Sequence, residues 1–181
     1  MKMPVSSSWR QTIARAVMAA AIAGVLDILA AIATSWLKGV APLRLLQAVA
    51  SGLLGSDAYA GGPATGGLGL GLHFLIMLIF ALFFFLAVAK WRLLQRRSTG
   101  AALLYSVAIY LLMQYVVLPL SAFPHPVAAT VTAITIGLVT HLLCVGVPFA
   151  VVARWRKRHD LDAVAAQVHA LKAGYDSHAA T

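Results

Sequence analysis

The run LGLGLHFLIMLIFALFFFLAVA, Leu68–Ala89, holds 22 residues, no charge and a single histidine. About 20 apolar residues in helical rise cross roughly 30 Å of hydrocarbon, so this segment predicts a membrane-spanning helix. Three further runs reach the same length: residues 16–36 before it, and residues 101–120 and 131–153 after it. Only 10% of the 181 residues are charged and 61% are hydrophobic, whereas soluble domains carry about 25% charged residues. The expected fold class is therefore all-α: a polytopic membrane protein with four transmembrane helices. A tail over residues 1–15, the transmembrane domain over 16–153 and a second tail over 154–181 complete the organisation.

The net charge of +9 raises the question of nucleic acid, and the positions of the cations answer it. Lys2, Arg10 and Arg15 precede the first span. Lys90, Arg92, Arg96 and Arg97 fill the link between the second and third, and Arg154, Arg156, Lys157 and Arg158 follow the fourth. The other two links carry only Lys38 and Arg44. This is the asymmetry of the positive-inside rule, which predicts a membrane protein with both termini and the middle link cytoplasmic. The links over residues 38–67 and 121–130 then face outward. The expected partners are the lipid bilayer and a second copy or another membrane protein, with no nucleic acid.

Trp36 falls at the outer end of the first span, and Trp91 and Trp155 at the inner ends of the second and fourth. Indoles favour those interfaces, so the three are expected anchors. The length of the first run and its internal Asp27 predict a retained helix and not a cleaved signal peptide. The single Cys144 allows no intrachain disulfide.

Between the first two spans, Pro42 begins a pattern in which Leu43, Leu46, Ala50, Leu53 and Leu54 recur at helical spacing. That pattern predicts an amphipathic helix over residues 42–55, lying in the outer interface or over the mouth of the bundle. The following GSDAYAGGPATGG, residues 55–67, is expected to turn the chain back into the membrane. Beyond the fourth span, Asp160 caps an expected surface helix with Leu161, Val164, Val168 and Leu171 on one stripe. His159, His169 and His178 in that tail lack metal-ligand spacing and read as solvated. A weak internal echo pairs GLGLH, residues 69–73, with GLVTH, residues 137–141, and AKWR with ARWR, which is the pattern of two tandem helical hairpins.

Ionisable groups inside hydrocarbon are costly, about 2.5 to 3.5 kcal/mol for a central acid, and mark candidate sites. Asp27 lies eleven residues into the first span and His141 about as deep in the fourth. His73, five residues into the second span, is expected to sit about 7 Å shallower, near Tyr110 and Gln114 of the third. These five residues outline an expected outward-facing pocket for a small ligand, ion or lipid. The competing reading is interhelical hydrogen bonding alone, worth about 1 kcal/mol per contact. A haem between His73 and His141 is a further alternative, disfavoured by their unequal depths. His141 with Cys144 makes a poor metal site, so no metal and no cofactor is expected.

Enzymatic chemistry finds few parts. The chain has no glutamate, no phosphate loop with its lysine, and no GxSxG elbow. Pro119 and Pro124 are expected to end the third span and stiffen the turn around His125, while Pro148 should kink the fourth and free a carbonyl near Cys144.

The segments GVLDILAA (24–31), LQAVASGLLGSDAYAGG (46–62), GLGLHF (69–74), LPLSAFP (118–124) and HLLCVGVPFA (141–150) together resemble a group of uncharacterised four-helix bacterial inner-membrane proteins. The likeness covers most of residues 24–153. It implies localisation and architecture, with no established activity, substrate or catalytic residue. The function expected on these grounds is that of a non-enzymatic ligand-binding, transporter-like or accessory membrane component.

Overall fold

The computed structural model describes residues 9–125, 130–155 and 167–168. Four helices are long and apolar enough to cross a membrane: α1 (Trp9–Trp36), α3 (Gly62–Lys90), α5 (Ser98–Leu120) and α6 (Val131–Trp155). A shorter α2 (Pro42–Leu54) precedes α3, and one turn and a half, α4 (Arg92–Arg96), links α3 to α5. Among the described residues there is no strand. The expected tail helix lies outside the described residues, apart from helical positions 167 and 168.

Packing is that of a membrane bundle, with small residues inside and large apolar ones outside. On α1, Ala16, Ala19, Ala20, Ala23 and Gly24 are buried, while Val17, Ile22, Val25, Leu26 and Leu29 are exposed. The alanine stripe admits α3, whose Met77, Ala81, Phe84, Phe85 and Val88 complete the core with Val145 and Phe149 of α6. Outward-facing Leu75, Ile79, Phe83 and Leu86 of α3 and Leu143, Val147 and Val151 of α6 suit lipid. Trp36, Trp91 and Trp155 are each more than half exposed at helix ends, as interface anchors require.

Three features sharpen or correct the expectation. First, α1 begins at Trp9 and α3 at Gly62, each several residues before the apolar run. The turn between α2 and α3 is a short 3₁₀ segment, Gly55–Tyr59, so most of the glycines placed in a loop are helical. Pro63 in the first turn of α3 has the backbone angle a helix start needs. Gly62 itself has φ 57°, which suits glycine.

Second, of the two placements expected for α2, in the outer interface or over the mouth of the bundle, it takes the latter and is clamped to α3. Leu43 and Leu46 pack on Gly66 and Gly69. The buried Gln47 donates from Nε2 to Gly62 O at 3.1 Å, and Thr65 Oγ1 donates to Ala58 O at 2.6 Å.

Third, the prolines of α5 and α6 widen their helices instead of simply kinking them. Met113–Val117 and Leu142–Gly146 are π-helical turns, each beginning six residues before a proline, Pro119 and Pro148. Proline lacks an N–H and its ring crowds the carbonyl four residues back. The wider turn makes room, and Leu118 N and Val147 N bond instead to Met113 O and Leu142 O.

Candidate functional site

At one half of the bundle α3 and α5 are held together. Tyr105 donates its hydroxyl to Phe80 O at 3.0 Å, and its ring lies 5.3 Å from that of Phe84. In the other half a cavity of about 430 Å³ opens between the helices, roofed by α2. Asp27 of α1, His73 of α3 and His141 of α6 all line it. The remaining lining is almost wholly apolar, with Val49 and Leu53 from α2, Ile76 and Phe80 from α3, and Met113 and Val117 from α5. Phe123 and Ser121 stand where the chain leaves α5, tied to α2 through Ala122 N donating to Gly52 O at 3.0 Å.

The two histidines are oriented by backbone. His73 Nε2 lies 3.0 Å from Gly24 O across the α1–α3 contact, and His141 Nδ1 lies 3.0 Å from Gly137 O in its own helix. A carbonyl oxygen only accepts, so His73 carries a proton on Nε2 and His141 on Nδ1. In the neutral rings this assigns the lone pairs to His73 Nδ1 and His141 Nε2. Gly24 is required by close packing, since the ring of Phe74 occupies the space a Cβ would fill, 2.7 Å away.

The depth assigned to His73 from sequence is corrected by its partner. Gly24 is nearly one turn further along α1 than Asp27 from the α2 end, so His73 is as deep as the other two polar groups. The cause is the early start of α3 at Gly62, six residues before the apolar run, which carries His73 about 9 Å further in. Unequal depth therefore no longer argues against haem, but hydrogen bonding does. An iron held through Nε2 of both rings would require His73 to release Gly24. Among the described residues, no three of His, Cys, Asp and Glu are placed to share a metal ion.

Asp27 is half-buried, and among the described residues no group donates a hydrogen bond to it. Its carboxyl oxygens are not sealed in protein, since no buried side-chain oxygen or nitrogen lacks a partner. The carboxyl group therefore opens on the cavity. Cys144, a half-buried free thiol, lies within electrostatic range of Asp27 without lining the cavity.

Tyr110 and Gln114, expected in the pocket, are placed elsewhere. Tyr110 is buried behind the cavity wall, packed on Gly137 and edge-on to His141 with ring centroids 5.3 Å apart. Gln114 does not line the cavity and is engaged in an interaction of its own. Ile109 and Met113, each one position earlier on α5, line the cavity in their place, with Val117 at the end of the π-turn. Glycines four residues before His141 and three before Asp27 were the available sequence signal for these contacts.

Fold and cavity define a class: an all-α protein of four membrane-length helices with three ionisable groups on the wall of a largely apolar cavity. No protein-family model, curated protein or solved structure matches the chain at a significant level.

Proposed function

We propose that this is a non-enzymatic inner-membrane component that binds a small amphiphile, a transporter-like or accessory protein whose ligand brings an amine or another hydrogen-bond donor to Asp27. The observation that carries the reading is the carboxyl group of Asp27, at membrane depth, facing a cavity and receiving no hydrogen bond from the described chain. Such a group is expensive in an apolar setting unless something meets it. Apolar walls of about 430 Å³ suit an alkyl or aromatic body, and His141 supplies a second polar contact.

Decylamine is a suitable probe, with decanol and decanoate as comparators of similar length. Calorimetric titration of the purified protein should show decylamine binding most tightly. Asp27→Asn should weaken it about tenfold or more, the worth of a charge-assisted hydrogen bond. His141→Ala should weaken it less. Equal binding of amine and alcohol, or an unchanged affinity in Asp27→Asn, would discard the pocket. A structural role for the polar groups is the second reading, favoured by the His73 to Gly24 bond that joins α1 and α3. It predicts reduced stability in the variants with no probe bound by any of them.

We also propose that both termini are cytoplasmic, which puts the α2 roof on the outer face. The support is the contrast between the basic α3–α5 link and the sparsely charged α1–α3 link. Reporters fused after Gly61 and after Gly100 should read outside and inside respectively. The reverse pattern sinks this orientation.

A further inference from the structure

The cavity beside Asp27 is closed along the bundle axis and along two of its seams. Its roof spans two helices, because α2 rests on α3 at Gly69 while Gly52 O of α2 accepts from Ala122 N at the end of α5. The α1–α3 seam is shut by His73 on Gly24 O and by Phe74 against Gly24, and the α5–α6 seam by Tyr110 against Gly137. Asp27 and His141 stand at the back, the one lining residue that each of α1 and α6 supplies among those described.

The seam between α3 and α5 is different. Tyr105 joins the two helices through Phe80 O, in the basic half of the bundle near α4. Nearer α2, Leu72 and Ile76 of α3 and Met113 and Val117 of α5 line the cavity from its two sides, and all four are only half-buried. Met77 and Ile109, deeper in the same lining, are 5% and 3% exposed. Exposure that rises from floor to wall marks an opening between α3 and α5, with Leu53 of α2, 62% exposed, at its rim.

We propose, resting on the amphiphile reading of this cavity, that the slot between α3 and α5 admits a single-chain amine amphiphile sideways from the bilayer leaflet on the α2 side. The ligand is then drawn from the membrane and not from water. Lipid tails are as apolar as leucine, so an apolar rim can open on them without penalty, whereas a free ion would have to cross hydrocarbon to reach Asp27. The amine leads to Asp27 and the chain trails through the slot. A volume of about 430 Å³ lies near the lower end of the roughly 300–1,000 Å³ of small-ligand pockets, which suits one chain and not the two of a phospholipid.

The probe is decylamine carrying a diazirine on its terminal carbon, photolysed with the full-length protein in nanodiscs. Adducts are mapped by peptide mass spectrometry with and without excess decylamine. Adducts that decylamine suppresses should fall on Leu72, Ile76, Met113 and Val117, while those on the outward-facing Leu75 and Ile79 should persist. Suppressible adducts confined to Leu45, Ala48 and Phe123 beneath the roof would mean entry from the aqueous face and overturn the slot. A lack of suppressible adducts in protein that binds decylamine by calorimetry overturns it as well. A lack of calorimetric binding removes the amphiphile reading itself, and the slot with it. Leu72→Trp with Val117→Trp narrows the opening and should slow probe release about tenfold through a higher barrier. Release at the wild-type rate contradicts a route between α3 and α5.

Discussion

Gly69→Ala is expected to destabilise the protein by about 2–3 kcal/mol, a large effect for one methyl group. The new Cβ would overlap Leu46 O and lie 2.8 Å from Leu46 C and 3.1 Å from Ala50 N. All three are backbone atoms in the middle of α2, so no rotamer change relieves the contact. The helix must lift from α3, and with it the roof of the cavity that Val49 and Leu53 provide. Thermal unfolding in detergent should show the loss, accompanied by weakened decylamine binding. Gly71→Ala is the control on the same helix, because nothing lies within 4 Å of its Cβ. Alanine there should be neutral or up to about 1 kcal/mol stabilising through helix propensity. Similar behaviour in the two variants would disprove the close approach of α2 to α3.

Phe149→Ala should cost about 3–5 kcal/mol. The ring is 0% exposed and lies with centroids 5.4 Å from Phe84, 6.0 Å from Phe85 and 6.4 Å from Tyr105. Lipid tails are as apolar as leucine, so helices in a bilayer cohere through close packing rather than escape from water. Removing a ring of α6 that packs on both α3 and α5 deletes that packing at the centre of the basic half. The cavity floor should loosen as a consequence, since Phe80 is held by the Tyr105 hydroxyl and Tyr105 packs on Phe149. Unfolding in a denaturing detergent series is the measurement, and a midpoint equal to wild type would contradict this account. Phe149→Leu should recover most of the loss by refilling the volume.

Much of the bundle was legible because hydrocarbon imposes a single strong constraint. Every backbone group in a span must bond within the chain, so a run such as Leu68–Ala89 has one reasonable conformation. The amphipathic spacing from Pro42 to Leu54 was equally readable, and the helix occupies those residues. Helix ends were not. Gly62, Gly66 and Gly67 are poor helix formers by propensity, yet they are helical where Gly66 and Gly69 admit α2 and Gln47 bonds to Gly62 O. Those gains come from a neighbour that local spacing does not reveal.

The same division runs through the candidate site. Asp27, His73 and His141 stood out individually because ionisable groups are rare and costly in apolar segments, and the structure brings all three to one cavity. Tyr110 and Gln114 do not line the cavity: Ile109 and Met113, one position earlier on α5, face it instead, and spacing along one helix does not reveal which of its faces turns toward the others. Sequence by itself determined the class of protein, the number of spanning helices and the residues whose burial needs a reason, since each follows from composition against a fixed solvent. Only the tertiary structure decided that His73 reaches Gly24, that α2 covers the cavity and that Asp27 lines it with no donor among the described residues. Those facts depend on which helix lies beside which, and on how closely glycine and alanine let two backbones approach.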